Sequence, residues 1–118
     1  MAGNKRKVGA KYEKYAGKYL ESQGYEVLCY NFFSRQGEID IIAKHQGYLV
    51  FVEVKYRSDL MAGHPFEALT LQKQRAICKA ASYYMKKHGM EYMPVRFDVV
   101  GIVGKQIQVL QNAFDYMK

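Results

Sequence analysis

The 118-residue chain has only two cysteines, Cys29 and Cys78. They lie far apart, outside any C-x-x-C and with no histidine at ligand spacing. That excludes a zinc pattern or a disulfide framework and leaves two small apolar residues. No window approaches roughly 18 consecutive apolar residues, and the opening MAGNKRKVGAKYEKY lacks the apolar segment of a secretory signal. A membrane partner is therefore not expected, and the cytoplasm is the expected location. Repeats, low-complexity tracts and linkers are missing as well. Residues 1–118 are thus expected to form one domain, a length that supports one core but not two. His45, His64 and His88 scatter over a turn, a loop and a helix end without H-E-x-x-H spacing, so they are expected at the surface and not as metal ligands.

Apolar and basic residues are plentiful. Hydrophobic residues make up 49% of the chain, with 11 Tyr and 6 Phe, which supplies a core and argues against disorder. Lys and Arg number 18 against 11 Asp and Glu, a net charge of +7. Such a charge attracts polyanions over a Debye length of about 10 Å at about 0.1 M salt. Nucleic acid is the natural partner class, although many basic proteins are simply soluble ones.

Apolar periodicity orders the chain as α, three strands, α, two strands. Val8, Tyr12, Ala16 and Leu20 recur every four residues and predict a helix over 7–23 stopped by Gly24, with Tyr15 and Tyr19 widening the stripe. Glu13 falls on the flank of that stripe, an inward-leaning acid. YEVLCYN, 25–31, predicts a strand and NFFSRQG a loop carrying Arg35. Residues 38–43 and 48–56 predict two strands around Lys44-His45-Gln46-Gly47. A loop with Gly63 and Pro65 leads to a helix from about Thr70 to His88, stopped by Gly89 and basic through Lys73, Arg75, Lys79, Lys86 and Lys87. VRFDVVGIV and QIQVLQN, around Gly104-Lys105, predict a second hairpin in which Asp98 pairs with Arg96 or another base, and AFDYMK is a tail.

The unusual stretch is GEIDIIAKHQGYLVFVEVK, 37–55, in which acids and a lysine interrupt β-branched sequence. If Gln46 and Gly47 are the central residues of a two-residue turn, Asp40 faces Glu53 and Glu38 faces Lys55. Opposed Cβ atoms are then about 4.5–5.5 Å apart. Alternation separately puts Glu53 and Lys55 on one face and Val50, Val52 and Val54 on the other. Two carboxylates about 5 Å apart repel by roughly 3 kcal/mol at an effective dielectric of about 20. A cation must offset that: Lys55, or better Mg²⁺ or Mn²⁺, which take oxygen donors and few protein ligands. E-x-K by itself is ordinarily a solvated strand face with a cross-strand ion pair. Asp40 followed by Glu53-Val54-Lys55, with an inward acid on the preceding helix, is a more specific constellation.

These residues resemble the D…(D/E)-x-K signature of restriction-endonuclease-like nucleases, and nearly the whole chain resembles the YraN-like family of small bacterial proteins. The resemblance rests on Gly9, Glu13 and Ala16, Gly24-Tyr25, Asn31, GEIDIIA at 37–43, VFVEVK at 50–55 with Arg57, Glu67-Ala68, Lys73 and RFDVV at 96–100. Phe33 departs from the basic residue more usual there. The resemblance implies an α/β fold with a mixed sheet flanked by helices and a nuclease-type site, similar to that of archaeal Holliday-junction resolvases. It implies that Asp40 and Glu53, with the carbonyl of Val54, hold Mg²⁺ or Mn²⁺, that Lys55 orients water or stabilises phosphate charge, and that Glu13 completes the acidic shell. Arg35, Arg57 and Lys73 stand as phosphate contacts.

The function expected is a metal-dependent nuclease acting on DNA, with branched or single-stranded forms in view, and the alternative is a nucleic-acid-binding module that does not cut. Symmetric cutting of a junction would require two sites and hence a homodimer.

Overall fold

The computed structural model describes residues 2–61 and 63–117, and the side chains of residues 2–8, 67 and 68 lie outside the description, so Val8, Glu67 and Ala68 are not among the side chains placed. The elements are α1 (Ala2–Ser22), β1 (Glu26–Phe33), β2 (Glu38–His45), β3 (Tyr48–Arg57), a 3-10 turn (Pro65–Ala68), α2 (Leu71–His88), β4 (Val95–Val103) and β5 (Gln106–Phe114). The five strands form one sheet in chain order. β3 and β4 are parallel and the other neighbours antiparallel, with α2 as the crossover a parallel pair needs. This is the expected mixed sheet flanked by helices.

The β3 sequence accounts for its central place. Leu49 to Glu53 are all buried, as in a strand covered on both faces. Val50 and Val52 pack with Ile41, Val100 and Ile102 under Ala16 and Leu20 of α1. Leu49 and Phe51 pack with Ile42 and Phe97 under Ile77, Ala81, Tyr84 and Met85 of α2. Gly17 lets α1 approach β1, because a Cβ there would collide with the Tyr30 ring. Tyr15 is exposed and does not widen the apolar stripe; its hydroxyl reaches the Lys105 carbonyl at 3.4 Å.

Local signals set most boundaries. Thr70 caps α2, its hydroxyl accepting the Lys73 N–H at 3.1 Å, and Gly89 ends it in the left-handed region at φ 64. Gln46 and Gly47 both have positive φ, as a two-residue type I′ turn requires, and the register runs from His45↔Tyr48 to Ile41↔Val52 as expected. β1 continues through Phe32 and Phe33, where a loop was expected, because Phe32 packs edge-on against Tyr84 at 5.2 Å. β5 likewise takes in Ala113 and Phe114 from the tail, with Phe114 stacked on Phe97 at 4.8 Å.

His45 is buried, contrary to the surface position expected. Its ring stacks on Tyr25 at 3.9 Å, and its Nδ1 lies 2.8 Å from Arg96 Nη2. Guanidinium only donates, so Nδ1 is the acceptor. Arg96 also pairs with Asp98 as expected, at 2.8 and 2.9 Å. Asp98 further accepts the Tyr25 hydroxyl at 2.6 Å and the Asn112 N–H at 3.0 Å.

Candidate metal centre

The β2–β3 ladder holds the expected register as far as Ile41 and Val52 and stops there. Beyond that point β2 stays on β1 through Phe32↔Ile39 and Phe33↔Glu38, while β3 stays on β4 as far as Arg57↔Val103. The strands part because each is held by its other neighbour. Asp40 fills the gap: its Oδ2 accepts the Val54 N–H at 2.8 Å, where a ladder carbonyl would have stood. The regular facing of Asp40 with Glu53, and of Glu38 with Lys55, therefore does not continue from the ladder. Val54 contributes its N–H to Asp40.

A break in alternation turns Asp40. Ile41 packs on the α1 side and Ile39 on the α2 side, although residues two apart in a regular strand share a face. β1 breaks at the same level. Asn31 has φ 54, with Tyr30 against α1 and Phe32 against α2. Asp40 thus stands between two charged groups. On one side, single carboxylate oxygens of Glu13, Glu38 and Asp40 all lie within 4.8 Å of one another. On the other, buried Glu53 is held by Lys55 Nζ at 3.3 Å and by Lys73 Nζ, from the first turn of α2, at 3.9 Å.

Burial and crowding shift these acids. Desolvation, then the charge of Asp40, pushes Glu13 up to about 7, against a lowering hydrogen bond from Asn31. Desolvation, then Asp40 again, pushes Glu53 up to about 7, with Lys73 and Lys55 opposing. Asp40 is also raised by desolvation, while the Val54 N–H, Lys73 and Lys55 favour its charge. A carboxyl-to-carboxyl hydrogen bond raises Glu13 and lowers Asp40, so Glu13 is the partner that keeps the proton. Among the described residues, the carboxylates of Glu13, Asp40 and Glu53, fully ionised, would face the ammonium groups of Lys55 and Lys73. Glu13 Oε2 is buried with no hydrogen-bond partner among the described residues. An oxygen-only set with uncompensated negative charge and an orphaned buried oxygen fits a hard divalent cation.

The structure brings together Glu13, Asp40, Glu53, Lys55 and Lys73 of the residues singled out from sequence. Arg35 is exposed in the β1–β2 connection, and Arg57 is half-buried with Nη1 on the Tyr56 carbonyl at 3.1 Å and its Nε without a partner among the described residues. Glu38 and Asn31 were missed as members of the centre. Glu38 could have been found from its place two residues before Asp40. Asn31 was among the residues carrying the resemblance but without a role, and its own chemistry offered only the tolerance of asparagine for positive φ.

The fold and this group of acids define a small α/β protein with a candidate divalent-cation centre where two strands diverge. The model of the uncharacterised protein family UPF0102 matches residues 12–102. The UPF0102 protein of Lachnoclostridium phytofermentans is 49% identical over 113 residues, covering 95% of this chain and 96% of its own. Those of Clostridioides difficile and Coxiella burnetii are 41% and 42% identical, covering 94% and 93% of this chain and 99% and 93% of their own. The chain belongs to the UPF0102 family, the YraN family.

Proposed function

We propose that this chain is a metal-dependent nuclease that hydrolyses phosphodiester bonds, with DNA as its substrate class. The observation that carries the reading is the convergence of Glu13, Glu38 and Asp40 beside a buried Glu53 that is paired with two lysines. Neighbouring negative and positive subsites are what phosphoryl chemistry needs: one gathers a cation, the other meets charge on the phosphate. Mg²⁺ or Mn²⁺ held by Asp40 with Glu13, Glu38 and Glu53 would supply Lewis acidity and lower the pKa of a bound water.

The chain's own groups do the rest. The Val54 N–H fixes the Asp40 carboxylate and hence the angle at which it meets a ligand. Glu53 is fixed between Lys55 and Lys73, which holds its carboxylate toward the cation. Lys55 is oriented by Glu53 and lies ready for charge on the phosphate, and Lys73 brings a second cation from another element, so α2 and β3 together define the phosphate position. Arg35 and Arg57 extend the positive surface along a backbone.

The test is cleavage of labelled single-stranded, duplex, flap and four-way-junction DNA in Mg²⁺ or Mn²⁺ by wild type, Glu53→Gln and Lys55→Ala. Divalent-dependent cutting lost in both variants supports the reading. Binding without cutting by any form would replace it with a non-catalytic nucleic-acid-binding module.

A further inference from the structure

Large apolar side chains standing more than half in water gather at one end of the sheet. Among the described residues, Met61 (93% exposed), Phe33, Leu60 and Leu71 stand at the end where β2 and β3 part, and only Tyr92, before β4, is comparably exposed at the other. Each of the four is tied by position to the acids. Phe33 pairs with Glu38 across β1 and β2. Leu60 and Met61 follow the end of β3 at Arg57, and Leu71 opens α2 two residues before Lys73. Leu60 and Met61 sit on a formed turn: Asp59 Oδ1 accepts the Met61 N–H at 2.9 Å, and the Leu60 carbonyl accepts the Gly63 N–H at 3.0 Å. The connection is seated at both ends, by the Gly104 N–H on the Arg57 carbonyl at 2.9 Å and by Pro65 and Phe66 lying over Gly101. Single exposed apolar residues need no explanation, but four at the same end of the sheet as a charged site do.

We infer that this rim receives the bases of an unpaired nucleic-acid strand whose phosphates pass Arg35, Arg57 and Lys73 toward the acids. A duplex keeps its bases stacked inward and would offer the rim only charged backbone. An unpaired strand or branch point offers base faces beside phosphates, and base stacking on such side chains is tolerant of sequence. Phe, Leu and Met are also the side chains that wedge between base steps. An anionic bilayer shares the charge and the apolar character. It cannot follow a phosphate inward to Glu53, which is only 5% exposed.

The inference rests on the nuclease reading for the path of the strand, so its test reads binding without cleavage. Single strands of DNA and of RNA carrying one 2-aminopurine, and the matching duplex, are titrated in Ca²⁺. Wild type is expected to prefer an unpaired strand and to change its 2-aminopurine fluorescence; a response with either DNA or RNA supports the inference. Phe33→Ser and Met61→Ser should each weaken single-strand binding roughly ten-fold and duplex binding less than about two-fold, while Tyr92→Ser changes neither. Equal losses on strand and duplex would overturn the inference, as would a silent 2-aminopurine or variants that fail only on phosphatidylserine vesicles. Cleavage with a silent 2-aminopurine defeats the rim alone; a base response without cleavage by wild type defeats the nuclease reading alone.

Discussion

The sheet carries two groups of buried charge, and they are built on opposite principles. Around Arg96, the cation and Asp98 neutralise each other, Tyr25, His45 and the Asn112 N–H complete their hydrogen bonds, and Gln111 donates to the Tyr25 hydroxyl. Around Asp40, two carboxyls are pushed up to about 7, and a buried Glu13 oxygen has no partner among the described residues. A satisfied pair fixes the fold at little net cost. An unsatisfied one is held in place by the fold around it at a cost in stability, the mark of a candidate functional site.

The largest effects should separate the two groups by readout. Asp40→Asn should lower divalent-dependent cleavage by roughly a thousand-fold or more, about 4 kcal/mol, and should abolish the divalent-ion site seen by calorimetry. Urea denaturation of the metal-free variant should show no loss of stability. Asp98→Asn should do the reverse, removing about 3–5 kcal/mol from the folding free energy because it strands the Arg96 guanidinium. Replacing Arg96 and Asp98 together by Met and Leu should recover part of that loss. If Asp40→Asn unfolds the metal-free protein as Asp98→Asn does, the distinction between the groups fails.

Acidity sharpens the comparison. Glu53 titrates about 7 when folded, against an ordinary 4.5. Below about 4.5 both folded and unfolded chains hold the proton and the residue contributes nothing. Between about 4.5 and 7 the folded chain binds more protons, so stability falls as pH rises, and above about 7 the full penalty, about 3 kcal/mol, is present. Metal-free wild type should therefore resist urea better at about pH 5 than at about pH 8. Glu53→Gln should remove its own share of that difference and leave the share of Glu13, which is also pushed up to about 7, whereas saturating Mn²⁺ should remove most of it. An unchanged pH profile in Glu53→Gln would show that burial does not set its proton affinity.

How much of this was legible in the sequence depended on how local the cause was. Gln46-Gly47 fixes a turn type and with it a register, so the pairing down to Ile41↔Val52 followed from two residues. Thr70 and Gly89 marked the ends of α2 in the same way. The parting of β2 from β3 was not legible. It arises from competition between ladders, in which β1 holds Glu38 and β4 holds Lys55, and no short window contains both sides of that contest. Glu38 was consequently assigned to Lys55, while the structure gathers it with Glu13 and Asp40. His45 misled for a related reason. Its position in a turn suggested water, but the partners that bury it are Tyr25, just before β1, and Arg96 in β4.

The smallest predicted effect compares one hydroxyl with one carboxyl. Tyr25→Phe deletes a group that donates to Asp98 at 2.6 Å and accepts from Arg96 at 3.0 Å and Gln111 at 3.2 Å. Asp98 keeps Arg96 and the Asn112 N–H, so no charge is stranded and the cost should be about 1–2 kcal/mol by urea denaturation. Glu13→Gln makes a change of similar size in the acid group and should have the opposite sign above about pH 7. There it removes a carboxylate that is repelled by Asp40 and Glu38 and replaces it with a neutral amide able to donate to either. Near pH 5 wild-type Glu13 is already protonated, and the advantage of the amide should shrink toward zero. A gain confined to high pH, beside a Tyr25→Phe loss that is flat in pH, would show that one group is held together by its charges and the other is held against them.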